Sequence, residues 1–472
     1  MRETNFLIAN NARHFWHPMA HPAEMRASPP RIINAAEGVE IVDVHGKKVL
    51  DAVGGLWNVN LGYSCEPVKK AIRDQLDELP YYSVFRGTTN SPLIELSFEL
   101  AEWFRPEGLT RAFFTSGGSD SVETALRLAR QYHKINGQPE RTKFVALKKG
   151  YHGTHFGGAS VNGNANFRRN YEPLLPGVIH LPAPYPYRNP FGSTDGAEIA
   201  GQIARLFEDE IAFQGADTIA AFIMEPVLGA GGVIVPHGTF MPLMREICDR
   251  HGILLIADEV ITGFGRTGAW NGSRLWGVKP DLMSTAKAIT NGYFPFGAVM
   301  ISDRVAQAFE ADKSGFGNIG HGYTYSGHPV GAAAALATLA ETKRLDVASN
   351  AAARGAELLE GLVMLCNRHE LVGDVRGKGL MCALELVSDR EKKIPAAKEV
   401  GEAVQNAAYD AGVMVRTAGP NIILSPPLVI TSQEVARIVS ALDDALTEAG
   451  LPEDATLWAM IETPRAFLNI AE

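Results

Sequence analysis

The sequence predicts an α/β fold: a mostly parallel, doubly wound sheet flanked by helices, joined to a smaller α+β domain. Two observations carry this. Between Arg111 and about Ser302, short apolar strands at 112–114, 144–147, 219–224, 253–257, 282–284 and 298–301 alternate with helical stretches, the rhythm of crossover units on a parallel sheet. Beyond a Gly/Ala-rich helix starting near Val330, the pattern changes to strands at 380–386, 413–415 and 422–424 between long amphipathic helices.

The opening segment to about Pro30, with Phe15-Trp16-His17-Pro18 and several prolines, reads as an irregular but ordered arm, and residues 39–44 and 48–53 alternate like a hairpin. Residues 1–60 are therefore expected to form an arm and hairpin that contribute to the small domain. Residues 61–329 form the large domain and residues 330–472 the small α+β domain. Thr431-Ser-Gln-Glu434 has the spacing of a capping box opening the last long helix, because threonine and glutamate three apart satisfy each other's free backbone donors.

A chain of 472 residues with 46% hydrophobic content is too long for one ordinary core. A net charge of -9 leaves no broad basic field, which argues against nucleic acid and toward a small-molecule ligand. Cys65, Cys248, Cys366 and Cys382 lack CxxC spacing, so no metal site or disulfide framework is expected and a reducing cytoplasm fits. The first ten residues lack a long apolar core, and no stretch of about 18 apolar residues occurs, so neither secretion nor membrane spanning is expected.

Chemistry concentrates at strand ends. The runs Leu254-Leu-Ile-Ala-Asp258 and Asp281-Leu-Met-Ser-Thr-Ala-Lys287 each deliver one ionisable residue at the C-terminal end of a strand, which places a carboxylate and an amine in one crevice. An amine beside an acid is the pair that pyridoxal phosphate requires, one for its aldehyde and one for its ring nitrogen. Upstream, Thr115-Ser-Gly-Gly-Ser-Asp-Ser leads from a strand into a helix with Val122, Ala125, Leu126 and Ala129 on one face. Gly117 and Gly118 admit a phosphate to the backbone, and Ser119 with the free amides of the helix start donates to it. The same string also reads as an ordinary turn with Ser119 or Asp120 as the N-cap. Tyr151, followed by His152, stands where a flat ring is stacked or where a tyrosine packs into the core. Val260, two residues past Asp258, lies on the same face if the strand continues.

These strings, with Asp258-Glu-Val-Ile-Thr-Gly-Phe-Gly-Arg-Thr-Gly268, Glu225-Pro-Val and Gly322-Tyr-Thr-Tyr-Ser-Gly-His-Pro329, resemble class III pyridoxal-phosphate aminotransferases over nearly the whole chain. Trp57 in Gly55-Leu-Trp-Asn-Val-Asn, Phe85, and Arg416 followed by Asn421-Ile-Ile-Leu-Ser-Pro-Pro are most similar to the ω-amino-acid or amine:pyruvate subgroup. The resemblance implies fold type I with a seven-stranded sheet, and pyridoxal 5'-phosphate as cofactor. It also implies a homodimer or homotetramer with shared active sites, where Thr324 reaches the neighbouring subunit's phosphate. By matched motif, Gly118 and Ser119 hold the phosphate, Tyr151 stacks on the ring, Asp258 pairs with its nitrogen and Glu225 supports the ring near the lysine. Trp57 and Phe85 line the substrate pocket, and Arg416 takes a substrate carboxylate.

The implied reaction passes an amino group from an amine to pyruvate, with Lys287 as cofactor tether and proton carrier. Rival readings are an aminomutase, a decarboxylase, a racemase, or a non-catalytic phosphate-ligand protein on the same fold. Two departures stand out. The family loop usually reads Asn-Ser-Gly-Ser-Glu-Ala, so a hydroxyl is lost at Gly117. Arg86 reads either as a second anion anchor for the substrate or as part of a surface ion pair.

Overall fold

The computed structural model describes residues 3–450; the last part of the expected 330–472 domain lies outside the described residues. Its largest sheet has seven strands in the order Leu109–Thr115, Gly297–Ser302, Leu282–Thr285, Leu254–Asp258, Ile219–Met224, Lys143–Leu147 and Val178–Leu181. All run parallel except Gly297–Ser302, which is antiparallel to both neighbours. The strands Ile219–Met224 and Leu254–Asp258 are buried at every position, as expected for a sheet covered on both faces. On one face, Val122, Ala125, Leu126 and Ala129 of the helix Gly118–Ile135 pack with Ile223, Ile256 and Val299. On the other, the helices Gly196–Gln214 and Phe240–His251 bury Phe207, Met244 and Ile247 with Phe222 and Leu255.

The chain's two ends share a second core. The strands Ile33–Glu37, Glu40–Asp43 and Lys48–Asp51 form a meander that Val413–Met414 extends in parallel. Thus 413–415, expected in the C-terminal sheet, pairs at Val413 and Met414 with the N-terminal hairpin instead. The remaining C-terminal strands form an antiparallel sheet in the order Val372–Lys378, Met381–Asp389, Asn421–Leu424, Arg416–Ala418. Leu50, Leu61 and Val68 pack in one cluster with Leu358, Leu384 and Ile438. The capping box forms as expected: Thr431 Oγ1 accepts from Glu434 N, and the glutamate side chain accepts from Thr431 N at 2.7 Å. The opening segment is more regular than expected, with short helices at Thr4–Asn10 and Pro22–Ala27; neither has a buried residue.

Because the strands ending at Thr115, Leu147, Met224, Asp258 and Thr285 all point the same way, the loops that follow them converge on one edge of the sheet.

Candidate active site

A cavity of about 360 Å³ opens at that edge. Its floor is a buried polar group. Asp258, only 4% exposed, ends its strand with Oδ2 2.8 Å from His152 Nδ1, while Val260 N donates to Oδ1 at 3.2 Å. The imidazole is held in turn by its backbone: His152 N donates to Asn162 Oδ1 at 2.5 Å, and Asn162 Nδ2 donates to Gly153 O at 2.9 Å. His152 Nε2 is buried without a partner. Since a buried N–H without an acceptor is the costlier arrangement, the geometry favours the ring proton on Nδ1, directed at Asp258.

Glu225 follows the strand Ile219–Met224 and accepts from Tyr151 N and Gly229 N, both at 2.9 Å. Burial, reinforced by the charge of Asp258 and opposed by His152, pushes its carboxyl up to about 7. Lys287 follows the strand Leu282–Thr285 at φ +51°, a left-handed conformation that costs a side chain-bearing residue of order 1 kcal/mol and is typical of functional positions. Burial lowers its amine to about 8, against the opposing pull of Asp258 and Glu225.

At the other end, the helix Gly118–Ile135 begins after Gly117, and no side chain caps it. Neither Ser119 nor Asp120 is the N-cap; Asp120 Oδ2 accepts from Ser116 N at 3.0 Å, and Ser119 Oγ accepts from Thr154 N at 3.2 Å. The cradle has no room for larger residues: a Cβ on Gly118 would lie 3.0 Å from Val260 Cγ1, and one on Gly153, at φ +95°, 2.7 Å from Ser119 Oγ. The Tyr151 ring lines the cavity edge-on to Phe167, with its hydroxyl pushed up by burial and by Asp258. Val260 also lines the cavity, but from the turn after Asp258, because the strand has ended.

An amine, a buried carboxylate and an uncapped helix N-terminus around one cavity fit the aldehyde, ring nitrogen and phosphate of pyridoxal phosphate. Fold and site therefore define a pyridoxal-phosphate enzyme of fold type I. The chain belongs to the aminotransferase class-III family, whose profile matches residues 22–446. It is 38% identical over 428 residues to the putrescine–pyruvate aminotransferase of Pseudomonas aeruginosa, covering 90% of this chain and 92% of that one. Its structure is similar to that of an amine transaminase from an uncultivated Pseudomonas species in the pyridoxal-phosphate-bound form, with a TM-score of 0.91 and 49% identity, covering 93% of this chain and 99% of that one. An (S)-enantioselective omega-transaminase from Thermomicrobium roseum matches with a TM-score of 0.91 and 39% identity, covering 95% and 99%. This chain is accordingly a pyridoxal-phosphate-dependent aminotransferase.

The structure brings Gly117, Gly118, Ser119, Tyr151, His152, Glu225, Asp258, Val260 and Lys287 to the cavity wall. Arg416 begins the strand Arg416–Ala418, close enough that its charge acts on Tyr151 and Lys287, and burial lowers its own guanidinium. Five expected residues are not among those lining the cavity: Arg416 itself, Trp57, Phe85, Arg86 and Thr324. Trp57, 3% exposed, packs in an apolar cluster with Val227, Ile261 and Met381, leaving its neighbours Leu56 and Asn58 to line the cavity. Phe85 is 53% exposed beside Gly322. Arg86 is exposed and makes no ion pair among the described residues, so the surface ion-pair reading is not realised within this chain. Thr324 is exposed too, its carbonyl accepting from the Tyr81 hydroxyl at 2.7 Å.

Sequence reasoning missed Leu56, Asn58, Gly292 and the Phe294-Pro-Phe296 wall. The signal for the last two was the Asn291-Gly292 turn, which follows Lys287 so closely that the chain folds back over the same crevice.

Proposed function

We propose that this aminotransferase moves the amino group of an ω-amino acid or other primary amine to pyruvate, giving an aldehyde or ketone and alanine. The observation that carries the reading is the Lys287–Asp258–Glu225 floor with the half-buried Arg416 beside it. Similarity to a putrescine–pyruvate aminotransferase and to amine transaminases supports the donor and acceptor classes.

When bound, the cofactor supplies an electron sink for the charge left on the substrate carbon. Lys287 Nζ would tether it and, when free, would take the proton from the substrate carbon; burial lowers this amine to about 8, so part of it is neutral near neutral pH. Asp258 would pair with the ring nitrogen and favour its charged form, and His152 fixes the orientation of that carboxylate. Gly117, Gly118 and Ser119 would hold the phosphate with the first-turn amides, Tyr151 and Val260 would cover the ring, and Glu225 would support it near the lysine. Arg416 takes the carboxylate of pyruvate or of an ω-amino acid.

The exposed loops carrying Phe85, Arg86 and Thr324 serve a neighbouring subunit's cavity in a homodimer or homotetramer, with Thr324 at the phosphate and Phe85 in the amine pocket. Trp57 backs that pocket from behind its wall. We assign residues 61–329 to a large cofactor domain and, of the described residues, 3–60 and 330–450 to a small one. The four free cysteines support a cytoplasmic location.

Loading the holoenzyme with a panel of β-alanine, putrescine, taurine and aralkylamines and then adding pyruvate tests the reading. One alanine per cofactor is expected. Carbon dioxide release, an isomerised or racemised donor, or no alanine with any donor would overturn it.

A further inference from the structure

We propose that Asp51 is a positioning residue for the amine site: its carboxylate gathers three consecutive backbone amides and a tyrosine hydroxyl, and so holds turn 53–58 where Leu56 and Asn58 form cavity wall. This rests on the reading of the cavity as the amine site.

Asp51 ends the strand Lys48–Asp51 and is 2% exposed. Its Oδ1 accepts from Val53 N at 2.9 Å and Gly54 N at 3.1 Å, and its Oδ2 from Gly55 N at 2.7 Å and the Tyr63 hydroxyl at 2.6 Å. Four donors use the whole accepting capacity of a carboxylate. Burial and the charge of Asp51 both push the Tyr63 hydroxyl up, so it stays a donor.

The turn needs such an anchor. Gly54, Gly55 and Trp57 have φ of +60°, +66° and +65°, and Trp57 has no glycine's freedom there. Space is equally tight: a Cβ on Gly54 would lie 2.6 Å from Ser425 O, and one on Gly55 2.6 Å from Asn58 Oδ1. That same Asn58 oxygen accepts from Leu56 N at 3.1 Å, and Asn58 Nδ2 would lie 2.7 Å from a Cβ on Gly292 across the cavity wall. Behind the turn, Ser425 N donates to Ala52 O and Ser425 Oγ to Val53 O, both at 2.7 Å. Ser425 directly follows the strand Asn421–Leu424, on which Ile423 pairs with Arg416. Asp51 thus fixes a turn that Ser425 in turn ties to the strand paired with Arg416–Ala418, and none of its four hydrogen bonds goes to Lys287 or Asp258.

The variants are chosen to loosen this anchor in steps. Asp51→Asn is isosteric but puts an NH₂ where an oxygen received Gly55 N–H or its companions, while Tyr63→Phe removes a single donor and leaves the carboxylate and all three amide bonds. In the holoenzyme, Asp51→Asn is expected to speed hydrogen exchange at amides 53–55 about tenfold or more, and to change the ratio of kcat/KM for an aralkylamine over β-alanine by about tenfold, as loss of a charged hydrogen bond implies. Cofactor occupancy and its visible absorbance stay unchanged. Tyr63→Phe moves both readouts the same way by roughly threefold, and decides the matter alone if Asp51→Asn does not fold. Unchanged exchange, or a uniform fall in kcat/KM together with cofactor loss, would overturn the proposal. Leu56→Ala separates the two claims. If it alters donor selectivity and Asp51→Asn does not, the positioning role falls; if neither alters selectivity, the amine-site reading of the cavity falls.

Discussion

The floor and the rim of the cavity are built differently. Asp258, His152 and Glu225 are at most 4% exposed, each bonded to a partner from another strand end of the same sheet. The residues expected at the rim sit on exposed loops: Phe85 is 53% and the neighbouring Tyr325 60% exposed, and Arg86 and Thr324 face outward. The contrast has a physical reason. Shifting an amine to about 8 and a carboxyl to about 7 requires withdrawal from water at fixed distances, which only the rigid edge of a buried sheet provides. Selecting an amine needs only shaped contacts, which loops and a second subunit can supply.

Substitutions on the floor should therefore stop chemistry, and those at the rim should redistribute it. Lys287→Ala is expected to lower turnover by about 10⁴-fold or more and to remove the cofactor's covalent absorbance; a variant that still cycled would dissolve the distinction. Asp258→Asn should keep cofactor bound but reduce turnover by about 10²–10³-fold, the usual effect of removing one preorganised charge. Steady-state assays with occupancy measured by absorbance would check both. Arg416→Ala should reduce kcat/KM for carboxylated donors and pyruvate by roughly tenfold or more, while half-reactions with plain amines hold. Equal losses on both would move Arg416 from recognition into the chemical floor.

How much of this was legible in the sequence follows the same division. Asp258 stood out because its buried parallel strand writes itself as an unbroken apolar run, and Lys287 because it follows a second short strand at which the same crevice opens. The strand Val178–Leu181 escaped notice since it is four residues long, at the sheet edge, half-buried and flanked by prolines, which reads as loop. Val413–Met414 was legible as a strand but not its partner, because pairing between the two ends of the chain leaves no local trace. Trp57 was drawn toward the pocket by its motif, yet its left-handed backbone turns the side chain into the Val227–Ile261 cluster and presents Leu56 instead. No pattern in the string announces a positive φ at a tryptophan.

The most direct test of the floor is the pH dependence with which the apoenzyme recaptures pyridoxal phosphate, trapped by borohydride and located by peptide mapping. Capture needs the neutral amine, so a lysine lowered from 10.5 to about 8 gains reactivity as pH rises and levels off above about 8. Glu225→Gln should move that midpoint slightly lower, since it removes a negative neighbour that favours the cation. Label is expected on Lys287 with a midpoint near 8; label on another lysine, or a midpoint near 10.5 on Lys287, would refute the buried, low-pKa amine.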